Sequence, residues 1–177
     1  MSTSRSIKFC RLGALLLAMT VVSSGAWAAD ITGFKTRLEA TKAEVATKKL
    51  ADSNATLTRL GEMMKIGEAR ATEYGAQHAQ FTKLMAAVVA DADAMKGFTD
   101  AEIEGKWGEQ GSGGDAVGIP LKSLGQFDET RAAMEMIIGP AHAYIFVKKW
   151  QTAQKSRWLD QANDELSELA KHLEQVH

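Results

Sequence analysis

Four histidines, His78, His142, His172 and His177, are the side chains of this 177-residue chain best suited to hold a metal or a haem iron. Neutral imidazole is a common ligand for both. His78 falls on the apolar seam of a long helical pattern, and His142 shares a face with Ile138 and Ile145. Both are therefore read as pointing inward, able to approach one another across a bundle. The plainer reading is a partly buried histidine held by a neighbour such as Tyr74, Tyr144 or a carboxylate. No HxxxH pair occurs, and a metal site normally gathers three or more ligands. His172 follows Glu168 by one helical turn, which reads as a surface ion pair. Ligation through His78, His142 and His172, with haem b or a divalent metal as cofactor, is kept as the alternative to a chain without cofactor.

Backbone chemistry is suggested by the stretch GKWGEQGSGGDAVGIPLKSLG, which holds seven of the fifteen glycines between Gly105 and Gly125. Gly111-Ser112-Gly113-Gly114-Asp115-Ala116 matches the dinucleotide pattern GxGxxA in form. That pattern works only between a strand and a helix whose N-terminus holds the pyrophosphate, and no such unit surrounds it. Gly105-Lys106 is no phosphate loop either, because Trp107 stands where a hydroxyl must reach magnesium. Asp91, Asp93 and Glu102 sit at positions one, three and twelve of a would-be calcium loop, but Met95 occupies position five and Gly97 comes one residue late. A helix end with surface acids is the simpler account. What the stretch retains is a partner-binding role, with Gly111, Gly113 and Gly114 permitting close backbone approach and Trp107, Asp115 and Ile119 supplying side-chain contacts.

Lys148, Lys149, Trp150, Lys155, Arg157 and Trp158 gather around a predicted turn between two helices. Cations beside tryptophan suit an anionic partner, while lysines at a helix C-terminus also oppose the macrodipole. No GxSxG and no metal-binding pair point to catalysis. Adjacent carboxylates such as Asp164 and Glu165 do not project together from a helix. The chain is read as non-enzymatic.

The elements that carry these residues are helical. Leu57, Leu60, Met64, Gly67, Ala71, Tyr74, His78, Phe81, Met85, Val88, Ala92 and Met95 alternate at three and four spacing, which predicts one helix of about forty residues or two in register. A break is expected near Tyr74-Gly75. Ile31, Phe34, Leu38 and Val45 outline an earlier helix, and Asp52-Ser53-Asn54 supply its stop and the next N-cap. Thr99 and Glu102 form a capping box for a short helix carrying Ile103 and Trp107. From Phe127 an unusually apolar helix runs through Met134, Ile137, Ile138, Ala141, Ile145 and Val147, with Gly139-Pro140 expected to kink it. The last helix starts near Ser156 and places Leu159, Ala162, Leu166, Leu169, Leu173 and Val176 inward, with Asp160, Asp164, Glu165 and Glu168 outward. Extended residues are expected only at 117–121. The fold class is all-α, an up-and-down bundle of about four main helices with one long glycine-rich crossover.

Residues 1–28 read as a signal peptide: Arg5, Lys8 and Arg11, an apolar run from Leu12 to Val22, then Ala26-Trp27-Ala28. The run is about eleven residues, against the roughly twenty that a spanning helix needs. Residues 29–177 form a single helical-bundle domain in this reading. Cleavage removes the only cysteine, Cys10, together with three of the 21 basic residues and none of the 22 acidic ones, leaving a net charge of minus four. Such a balance excludes nucleic acid as a partner.

The layout resembles cytochrome b562, an exported helical bundle of modest size without cysteine. That resemblance implies a haem held by a methionine early in the first helix and a histidine near the end of the last. His172 or His177 would stand for the histidine, while Ile31, Phe34 and Leu38 occupy the place of the methionine. No CxxCH occurs, so covalent haem attachment is excluded. The expectation is a periplasmic binding or accessory protein that meets another periplasmic protein or envelope component, or its own copy, through the glycine-rich loop.

Overall fold

The computed structural model describes residues 24–125 and 129–175. Six α-helices are present among them: α1 (Ser24–Val45), α2 (Ser53–Gln77), α3 (Thr82–Met95), α4 (Asp100–Trp107), α5 (Glu129–Ala153) and α6 (Arg157–Gln175). The expectation of about four helices is thus replaced by six. No strand occurs among the described residues, and 117–121 is built from the ends of two 3-10 turns, Asp115–Val117 and Leu121–Ser123. The signal segment before Ser24, Phe127 and His177 lie outside the described residues.

The helix boundaries follow local chemistry. Asp52 Oδ1 accepts from the backbone N–H groups of Asn54 and Ala55 and so starts α2. Thr99 and Glu102 complete the capping box of α4, the Thr99 N–H donating to Glu102 Oε2 at 2.6 Å and the Glu102 N–H to Thr99 Oγ1 at 3.3 Å. These contacts satisfy donors that an open helix end leaves bare. The forty-residue pattern is two helices: α2 ends at Gln77, three residues beyond the expected break near Tyr74. Thr82 Oγ1 donates to the Gly75 carbonyl at 2.6 Å, so α3 starts by folding back on the last turns of α2. Pro140 lies inside α5, whose helical assignment continues through it.

α5 occupies the centre. It packs against α2 and α6, and more lightly against α3 and α4. One apolar cluster joins Phe34, Leu38, Leu60, Met63, Phe146 and Leu166, from α1, α2, α5 and α6. A second joins Met64, Val88, Met95, Ile103, Trp107 and Ile137, from α2, α3, α4 and α5. α2 and α5 belong to both, so they form the shared wall between two layers. Their approach is set by Gly67, where an added Cβ would collide with the Met136 carbonyl. Burial of each large apolar side chain contributes roughly 1.5–3 kcal/mol, and with no disulfide in these elements packing carries the fold.

Candidate functional site

α5 is buried on almost every side, which makes any charged residue on it an exception. Away from Glu129, Lys148 and Lys149 near its ends, Arg131, Glu135 and His142 are those exceptions, and with Ile138 they fall at four, three and four spacing on one stripe. Arg131 is 8 % exposed and His142 only 2 %. Holding such groups in a core costs several kcal/mol per ion unless partners compensate. Arg131 Nε pairs with Glu135 Oε1 at 3.1 Å, one turn along the helix. His142 reaches across to α4, its Nδ1 2.8 Å from Asp100 Oδ1.

A second stripe faces the first. Glu165, Glu168 and His172 recur at three and four spacing on α6, and Glu104 adds a carboxylate from α4 one turn after Asp100. Together these side chains line a cavity of about 210 Å³. Gly108, Glu109 and Leu124, the two ends of the glycine-rich crossover, complete its rim. The sequence expectation that Glu165 faces solvent is therefore corrected: it is half-buried and lines the cavity together with Glu104 of α4 and Glu135 of α5. Glu168 is exposed and pairs with Lys171 at 2.7 Å, while its charge also acts on His172 one turn on.

Electrostatics in the cavity follow burial. Glu135 is pushed from 4.5 to about 7, first by burial, against the pull of Arg131 and His142. Burial also raises the Glu165 carboxyl, although His142 opposes it. The His172 imidazole is lowered, by burial and then by the Arg131 charge. Burial disfavours the charged form in all three, as loss of water must.

Two polar atoms remain unanswered here. Arg131 Nη1 is buried without a hydrogen-bond partner, and so is His142 Nε2, which approaches Glu104 Oε1 at 3.4 Å without bonding to it. Buried polar atoms normally find partners. Arg131 Nη1 gives the cavity one open donor.

No family model, curated protein or solved structure matches this chain. Its site is therefore read from geometry alone.

The glycine-rich crossover packs down on α4. Trp107 is 1 % exposed and donates from Nε1 to Asp91 Oδ2 at 2.9 Å, so it is a core residue and not a contact offered outward. Gly111 and Gly114 are buried and Gly113 partly so; a side chain on Gly113 would strike the Trp107 ring and one on Gly114 the Ile119 carbonyl. The glycines serve close packing of the loop on itself. Asp115 is exposed and Ile119 half-buried, leaving a small outward surface. Asp91 also meets Lys106, Asp93 pairs with Lys65 and Lys96, and Glu102 caps α4, which accounts for the acids of the supposed calcium loop.

The basic-aromatic residues divide. Trp150 is buried in the first cluster, whereas Lys149 lies 5.0 Å from the ring centres of both Phe146 and Trp158, with Arg157 4.3 Å from the latter. Lys148 and Lys149 border an open groove of about 570 Å³ floored by Ile145, Phe98 and Trp158. His78 stacks on Tyr74, ring centres 4.1 Å apart, at the end of α2, so it and His142 have separate partners and do not form the pair expected across the bundle. Among the described residues no group of three or more His, Cys, Asp or Glu side chains is placed to hold a metal ion. None of the described helices is long and apolar enough to cross a membrane.

Arg131, Glu135 and Glu165 escaped sequence reasoning. A signal existed: Arg131, Glu135 and His142 interrupt the most apolar helix on a single stripe. A helix recognised as central leaves its charged residues nowhere to go but inside.

Proposed function

We propose that this chain is an exported, non-enzymatic binding or accessory protein whose ligand seat is the polar cavity between α4, α5 and α6. In this reading the long helices act as an up-and-down scaffold, and the glycine-rich crossover forms the rim through Gly108, Glu109 and Leu124. The outward residues Glu109 and Asp115 would meet a partner protein or envelope component. One observation carries the proposal: Arg131, Glu135 and His142 are buried on the central helix around a cavity. Apolar residues of similar volume would be at least as stable there, often by about 1–4 kcal/mol. Charge kept at that cost supports a ligand that uses it.

The test joins recovery and screening. Protein purified from the periplasm is denatured and its released small molecules identified by mass spectrometry; the intact protein is screened by thermal shift against small polar metabolites. The triple variant R131M/E135L/H142L should keep its helical circular dichroism while losing every ligand response. An unchanged response in that variant would move the site elsewhere. A Soret band in the purified protein would replace this reading with a haem-binding one.

A further inference from the structure

The order of polar groups along the cavity has a chemical meaning. Arg131 lies at one end of the α5 stripe and His142 at the other, eleven residues apart, or about 16 Å of helix at 1.5 Å per residue. At the Arg131 end the open group is a cationic donor, Nη1, with a half-buried His172 close enough for Arg131 to lower its basicity. At the His142 end the acceptors are the Glu104 carboxylate and the half-buried Glu165. No hydrogen bond or ion pair engages Glu165 among the described residues, so its carboxylate is available.

One end therefore asks for an anion and the other for a cation. A simple anion would leave the half-buried Glu165 carboxylate beside that of Glu104 with no counter-charge. A simple cation would leave the Arg131 donor buried and unmet. A molecule carrying both charges, apart from one another, answers both. The volume limits its size: about 210 Å³ is roughly seven waters at ~30 Å³ each, hence a ligand of about seven or eight heavy atoms.

Resting on the binding reading above, we infer that the cavity takes a small linear zwitterion of the ω-amino carboxylate class, its carboxylate on Arg131 Nη1 and its ammonium between Glu104 and Glu165. Glu135, between the ends, pairs with Arg131 and holds the guanidinium in place. An α-amino acid, with its charges on neighbouring carbons, spans only one end.

Calorimetric titration of the purified protein with 5-aminopentanoate, pentanoate, pentylamine and glycine tests this, with the His142 ring resonances followed by NMR to place any binding in the cavity. 5-Aminopentanoate should bind at least tenfold more tightly than the other three and shift the His142 signals. Glu165→Gln should weaken it tenfold or more, and Arg131→Gln should weaken it to the level of pentylamine while pentylamine itself is unaffected. Circular dichroism checks each variant, and E165Q carries the test if R131Q unfolds. Equal or tighter binding of pentylamine, pentanoate or glycine, with His142 shifts, overturns the zwitterion inference and leaves the cavity as the binding site. No His142 shift with any of the four overturns the inference too, and a blank metabolite screen beside it removes the binding reading.

Discussion

His142 Nδ1 stands 2.8 Å from Asp100 Oδ1, and this single bond ties the buried centre of α5 to the first turn of α4. Asp100 does two things there. Its charge favourably faces the α4 N-terminus, and it satisfies a ring nitrogen that would otherwise be buried without an acceptor. Replacement by alanine removes both, so Asp100→Ala should lower stability by about 1–3 kcal/mol. Urea unfolding followed by tryptophan fluorescence measures the loss, and amide exchange should quicken in α4 and the crossover before the rest. A loss under about 0.5 kcal/mol, the size of an ordinary surface change, would show that the bond does not hold α4.

Stability should depend on pH through Glu135. Its folded value of about 7 lies above the ordinary 4.5, so the native state binds that proton more tightly than the unfolded chain. The contribution is whole below about 4.5 and is lost as pH rises through about 7, to a total of roughly 3 kcal/mol at ~1.36 kcal/mol per unit. Glu165 on α6 runs in the same direction. His172 runs the other way: its neutral form is favoured, so its contribution is present above 6.5 and lost as pH falls. Arg131 and His142 on α5 and Glu104 on α4 face Glu135 and stay in both proteins when wild type is compared with Glu135→Gln. The stability of wild type relative to E135Q should fall by about 2–3 kcal/mol between pH 5 and pH 8. Parallel curves would mean that Glu135 titrates as a solvated carboxylate.

Two glycines near the rim should respond in opposite directions. Gly105 lies in α4 with open space where a Cβ would stand, so Gly105→Ala should stabilise by up to about 1 kcal/mol through helix propensity. Gly114 has the Ile119 carbonyl at the position of its Cβ, and its own carbonyl accepts the Ile119 N–H at 2.9 Å. Gly114→Ala should therefore destabilise by about 1–3 kcal/mol as the loop is forced off α4. Thermal unfolding of the pair is decisive: if G114A is as stable as G105A, the crossover is not packed as described.

Tyr74 and Thr130 hold α2 to the start of α5 by a buried hydroxyl pair at 2.9 Å. A double-mutant cycle with Tyr74→Phe and Thr130→Val should return a coupling of about 0.5–1.5 kcal/mol. Each single variant should cost more than half of that, since it leaves one hydroxyl or its space unmatched. Additive costs would place the two hydroxyls out of contact in solution.

Much of this molecule is legible without its structure because the deciding contacts are local. Asp52 and Thr99 bond to N–H groups two or three residues away, so their capping roles are visible in the sequence. The apolar stripes of α2, α3 and α6 likewise name their buried faces, from Leu60 and Met64 to Val88 and Leu166. Periodicity ends there, since a stripe shows which side is covered and not by what. Glu165 sits on the polar side of α6 and becomes part of a cavity only because Glu104 of α4, some sixty residues earlier in the chain, and the buried stripe of α5 line the same space. Trp107, expected on a short helix as a contact for a partner, is buried by tertiary packing with its Nε1–H donating to Asp91.

The residues by themselves thus determine the helical class, the starts of α2 and α4, and the composition of the apolar faces, all consequences of hydrogen bonds and side-chain spacing within a few turns. Tertiary structure alone decides that the described residues form six helices in two layers, that Gly111, Gly113 and Gly114 serve close packing, and that Arg131, Glu135, His142 and Glu165 line one cavity. Burial of a charge depends on what distant segments place around it, and the energy of that charge, with its protonation and its need for a partner, follows from the enclosure and not from the sequence position.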